Sequence, residues 1–235
     1  MTESKVDLIA KLLAKAESTT PEEAEALTEH AERLMVKYGI EQARLDERRA
    51  RLGREQEEIK TERMLFSGAY ARDIRELGAG IAAALGTLRA LYGRHSDGES
   101  VLYLVGHASD VAQARLLTTS LQVQAMVAMR AWWSVERHRY HWFPESDKRR
   151  ARSGFVRGFG AGAAERIRQN RRAIVEEAGN GTELVLAARR DRVDAAVAAM
   201  STRRARSREG ADPAAYYSGR QVGLDANTGE STLPR

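Results

Sequence analysis

Residues 87–107, TLRALYGRHSDGESVLYLVGH, decide the fold class. Two apolar, β-favouring runs, TLRALYGR and SVLYLVGH, flank HSDGE, whose Asp97-Gly98 pair supplies the positive-φ positions of a tight turn. This predicts an antiparallel hairpin over 87–106, in a chain whose other segments mostly carry helical spacing. Beyond His107, Ser109 or Asp110 is the expected cap of a long helix reaching toward Arg137. Its apolar face is wide, running through Val111, Ala114, Leu117, Leu121, Met126, Met129 and Trp133, which predicts that it lies against the sheet. Upstream, Leu65 and Phe66 suggest a first strand, and 70–85 a helix with Ile74, Leu77, Ile81 and Leu85 on one side. Downstream, a glycine-spaced helix over 148–177 stops at Gly179-Asn180-Gly181. TELVLAA then reads as another strand and 190–200 as another helix.

The N-terminus is different in kind. Leu8, Ile9, Leu12, Leu13 and Ala16 form an apolar helical stripe. Thr20 before Pro21, with Glu23 three residues on, makes a capping box that starts a second helix. Ala24, Leu27, Ala31, Leu34 and Tyr38 follow at spacings of three and four, and Gly39 is the expected stop. Residues 41–60 are nearly all charged and helix-favouring, with Leu45, Leu52 and Ile59 seven apart, and read as a solvated helical linker. From Gly210 onward Gly, Asp, Asn, Pro and Ser dominate, the composition of a flexible tail. The expectation is therefore α+β: a helical hairpin over 1–40, a linker over 41–60, a small antiparallel or mixed sheet covered by long helices over 61–209, and a tail over 210–235.

Composition removes several function classes. The chain has 235 residues and no cysteine, so disulfides, thiolate zinc sites and cysteine nucleophiles are absent. No apolar run approaches the roughly 20 residues of a membrane span, and the charged N-terminus lacks a cleavage site, so a cytoplasmic protein is expected. Net charge is +5, unevenly placed. Residues 130–172 carry twelve Lys and Arg against four Asp and Glu, while residues 1–60 carry eleven against fourteen.

That basic segment also holds all three tryptophans. Trp142 and Phe143 beside Arg149 and Arg150 read in three ways. They are core and solvated helix face, or a protein interface, for which Trp, Tyr and Arg are the usual anchors, or a phosphate and base-stacking surface. Tyr216 and Tyr217 join them as candidate partner-binding residues. Arg203, Arg204, Arg206 and Arg208 carry the same ambiguity. Gly154, Gly158 and Gly162 form one bare helical stripe, which asks for close approach of another element, since each glycine costs a helix roughly 1 kcal/mol relative to alanine. A phosphate cradle in GFGAG would need a preceding strand. His138 and His141 have no further ligands at metal spacing, and no GxSxG or HExxH occurs. No catalytic residue, metal site or cofactor is expected.

The N-terminal stretch KVDLIAKLLAKAESTTPEEAEALTEHAERLMVKYGI resembles a domain of unknown function of actinobacterial and phage proteins, whose pattern is KI..LL..A..T..PEEA....A..LM.KY.I. Over its full length, with its arginine- and alanine-rich composition and the segment GFVRGFGAGAAERI, the chain is similar to recombination directionality factors of actinobacterial temperate phages that encode large serine integrases. The resemblance implies a non-enzymatic regulator. It would bind the integrase by protein contact at the zinc-containing domain and its coiled coil, activate excision at the prophage attachment sites, inhibit integration, and meet DNA only through the integrase complex. The alternative is a basic regulatory protein acting directly on DNA.

Overall fold

The computed structural model describes residues 5–16, 21–93, 99–202 and 210–226. The order is α1 (Lys5–Ala16), α2 (Pro21–Arg51), β1 (Ile59–Phe66), α3 (Ala71–Leu85), β2 (Arg89–Gly93), β3 (Ser100–His107), α4 (Ala108–Glu136), a 3-10 turn (Arg137–Tyr140), α5 (Glu145–Glu177), α6 (Thr182–Ala198) and α7 (Pro213–Leu224). The fold is α+β. The three strands lie in the order β1-β3-β2, all antiparallel, with Phe66 opposite Ser100 and Gly93 opposite Val101. The Asp97-Gly98 turn, the Thr20 capping box and the arginines of 203–208 lie outside the described residues.

Alternation along the strands puts Phe66, Leu102 and Leu104 on one face, where they pack with Ile74 of α3, Val111 and Ala114 of α4 and Phe155 of α5. A second cluster joins Ile9 and Leu13 of α1 and Met35 of α2 to Leu117, Leu121 and Ala125 of α4 and Phe159 of α5. The N-terminal hairpin is thus docked on the long helices, which hide the stripes it cannot bury alone. α3 ends where the spacing predicts, at Gly86 with φ of 77°.

Four elements differ from the sequence expectation. α2 does not stop at Gly39 but runs to Arg51, because Ile40 and Ala43 are buried against Ile174, Val175 and Leu186. That burial, on the order of 2 kcal/mol for an isoleucine alone, outweighs the roughly 1 kcal/mol cost of one internal glycine. The 41–60 stretch is therefore half helix, and its end is already strand, since β1 starts at Ile59. TELVLAA belongs to α6, where Thr182, Leu186, Arg189 and Val193 make a buried stripe of helical period. The tail contains α7, started by Asp212, whose carboxylate accepts the Ala215 amide, with Pro213 in the first turn.

The glycine stripe explains why α7 is ordered. A Cβ built on Gly158 would stand 2.0 Å from the Tyr216 carbonyl oxygen, and one on Gly162 2.2 Å from that of Arg220. The relation is mutual, with Gly219 against the Phe155 carbonyl and Gly223 against that of Phe159. Since 158 meets 216 and 162 meets 220, the two helices run parallel with backbones in contact, as small residues four apart allow.

Candidate partner-binding site

The link between α4 and α5 rests on stacked aromatics. Trp132 stacks on buried Phe155 at 4.9 Å between centroids, and Tyr140 packs on Trp133 at 5.4 Å and on Phe143 at 5.7 Å. The Arg152 guanidinium lies over Trp133 at 5.0 Å. The Tyr140 hydroxyl lies 3.4 Å from Asp212, so the same cluster reaches the start of α7, and burial together with Asp212 pushes the phenol pKa up. On this footing the chain presents His141 and Trp142. Trp142 is 91% exposed, touched edge-on by the His141 ring at 4.7 Å, and Phe143 is half exposed.

Arg149 and Arg150 sit one turn into α5 and line an open cleft of about 290 Å³ with Arg157, Ser146, Ser153 and buried Asp73. Ser153 donates to Asp73 at 2.9 Å. Gly210 and Ala211 close one side, which brings the cleft close to the start of α7. Tyr216 is half-buried and Tyr217 is 62% exposed on that helix. Four of the twelve basic side chains of 130–172 pair with carboxylates: Arg139 with Glu136, Lys148 with Glu145, Arg150 with Asp147, and Arg157 with Glu76. Glu76 comes from α3, a partner that counting charges along the segment cannot reveal.

A second constellation was not visible in the sequence. The Arg189 guanidinium, 3% exposed, donates to Asp46 of α2 at 2.6 Å, to Glu57 at 2.7 Å, and to Asp110 at 3.0 Å and Ser109 at 2.9 Å of α4. Glu57 accepts the Ser109 amide at 2.6 Å and so caps α4 from a distant loop, whereas the cap residue itself is His107. Asp46 in turn accepts the Glu57 amide at 2.9 Å. The signal was a charge inside an apolar stripe: Arg189 between Leu186 and Val193, and Asp46 three residues after Ala43. The adjacent space, lined by Thr87, Asp110, Gln113 and Arg171, is about 30 Å³, room for a water. The hub therefore reads as a structural lock joining α2, the loop before β1, α4 and α6.

His107, fully buried, accepts from Arg192 through Nε2 at 3.1 Å, which leaves the proton on Nδ1, 4.0 Å from Asp110. Burial, then the fields of Arg189 and Arg192, lower its pKa from 6.5 to about 4, against the opposing pull of Glu57 and Asp46. The folded state thus keeps neutral an imidazole that the unfolded chain protonates. Its contribution is complete above pH 6.5 and disappears as pH falls toward 4, amounting to about 3 kcal/mol. Glu57 acts in the same direction at lower pH: burial raises its pKa, but hydrogen bonds from Arg189 and Ser109 bring it below normal. Asp110, raised by burial, acts oppositely. Urea unfolding between pH 7 and pH 4 is expected to show this loss, with most of the slope between pH 6.5 and 4 removed in His107→Gln. An unchanged slope in the variant refutes the assignment.

Residues 6–42, α1 and the first two-thirds of α2, match a family described as protein of unknown function (DUF2786). No curated protein and no solved structure matches the chain. No helix among the described residues is long and apolar enough to cross a membrane.

Proposed function

We propose that this protein is a recombination directionality factor, binding a large serine integrase by protein contact so that excision is activated and integration is held back. The observation that carries the reading is Trp142, the largest side-chain type, 91% exposed and next in the chain to half-exposed Phe143, which packs on the aromatic stack. A tryptophan so exposed has a large apolar area left to bury on docking, which is what an interface anchor needs. The resemblance to directionality factors supplies the partner class, and DNA is met through the integrase complex. Mechanistically the factor contributes a coupling free energy: it shifts the choice of synaptic complex by no more than its differential affinity for the integrase arrangements.

In a recombination assay with the integrase of the same phage, adding this protein is expected to drive excision from the prophage attachment sites and suppress integration. Trp142→Ala is expected to weaken integrase binding about 30-fold, the size of a hot-spot loss of roughly 2 kcal/mol. If neither reaction responds, the proposal fails. Steeply salt-dependent binding to attachment-site DNA alone replaces it with the direct DNA regulator.

A further inference from the structure

α4 is apolar on two sides. Its inner side, Leu117, Leu121, Ala125 and Met129, is buried against α1, α3 and α5. On the outside Val123, Val127 and Val135 are 51, 61 and 66% exposed, and exposed Ala131 completes a row at four-residue spacing. The face expected to be covered, from Val111 to Trp133, packs against the sheet and the core, and the opposite side is bare. Lone exposed valines are ordinary, but four small or β-branched residues in an i±4n row make a ridge of the kind that enters the groove of a second helix. Ser120 and Ser134 flank the ridge and are short enough to let another backbone come near.

Along the ridge the charge has one sign, and Glu136, just beyond it, is paired with Arg139. From Val111 to Val135 the chain carries no Asp or Glu. Arg130 and Arg137, both exposed, stand seven residues apart along one edge, and neither pairs with a carboxylate among the described residues. Seven residues is the repeat at which edge charges of paired helices meet.

We infer that the outer face of α4 docks an amphipathic α-helix of the protein partner, its apolar seam on Val123, Val127, Ala131 and Val135 and carboxylates one heptad apart facing Arg130 and Arg137. The inference rests on the protein-contact reading above, and it names a surface distinct from Trp142. A second copy of this chain fits less well, because its edge would bring arginines and no acids.

The test uses the full chain with the purified integrase and three variants: Val123→Glu/Val127→Glu, Arg130→Glu/Arg137→Glu, and Trp142→Ala. The changed α4 positions are exposed, so unchanged melting curves are expected to show that the variants fold. The valine pair is expected to lower integrase affinity at least 30-fold. The arginine pair is expected to lower it about tenfold, to reverse its salt dependence, and to regain binding when glutamates on the integrase coiled coil are replaced by lysine. Wild-type binding with the valine pair within threefold of it overturns the inference while leaving the proposed function standing. No binding by the wild type overturns both. Sedimentation showing a wild-type dimer that Val123→Glu/Val127→Glu converts to monomer overturns it in favour of a self-interface.

Discussion

Gly158→Ala is expected to destabilise the protein by about 3 kcal/mol and to loosen α7, although alanine is the better helix former. In an exposed helix this change would add roughly 1 kcal/mol of stability. Here the new methyl would stand 2.0 Å from the Tyr216 carbonyl oxygen and 2.9 Å from the Arg220 amide nitrogen. Those atoms belong to a backbone and cannot rotate away, so α7 must shift as a body. Overpacking of that kind costs about 1–3 kcal/mol, and more where the displaced element loses its whole contact. The shift also pulls Ala215, fully buried, from the cluster around Phe155 and Ala151. Gly39→Ala is the control of opposite sign: it lies inside α2, nothing stands within 4 Å of its added Cβ, and it is expected to gain about 1 kcal/mol. Thermal melts of both variants, with limited proteolysis of the chain after residue 202, decide the matter. A Gly158→Ala protein as stable as wild type, with α7 still protected, refutes the tight parallel seam.

The same glycines show what the sequence could and could not disclose. Spacing by four announced that something must approach α5 closely, but the partner carried its own small residues, Gly219 and Gly223, inside a segment whose composition resembles a tail. Local chemistry was legible wherever it was self-contained: the periodicity of α3 and the antiparallel pairing of β2 with β3. It failed where a distant element decided the outcome. Gly39 looked like a stop because the cover for Ile40 and Ala43 comes from α5 and α6, more than a hundred residues on. The short apolar run of TELVLAA fits a strand as well as a helix, and only burial at Thr182, Leu186, Arg189 and Val193 separates them. Of the candidate partner residues, Trp142, Phe143, Arg149, Arg150 and Tyr217 are all exposed enough to touch another molecule, while Tyr216 is partly committed to the seam with α5.

Replacing the buried guanidinium is expected to do more damage than any other single change in the core: Arg189→Met should cost about 3–5 kcal/mol, the usual loss when one partner of a buried ion network is removed. Methionine fills much of the volume, so the loss is electrostatic. Asp46, Glu57 and Asp110, at 2.6, 2.7 and 3.0 Å from the guanidinium, would be left facing one another with only the longer contacts of Arg49 and Arg192, which reach Asp46 at 3.6 and 3.8 Å. Three converging carboxylates without their cation raise one another's pKa. A raised folded pKa means that protonation favours the folded state, so the variant should gain stability as pH falls from 7 toward 5. The wild type, governed there by His107, should lose stability over the same range. The opposite slopes of the two pH profiles identify the role of Arg189, because a mere packing defect lowers the variant's curve parallel to that of the wild type. Hydrogen exchange should locate the damage at α6 and the loop of residues 52–58, since Arg189 holds both against the start of α4. A loss under 1 kcal/mol, or parallel profiles, would mean that the hub contributes packing and no electrostatic lock.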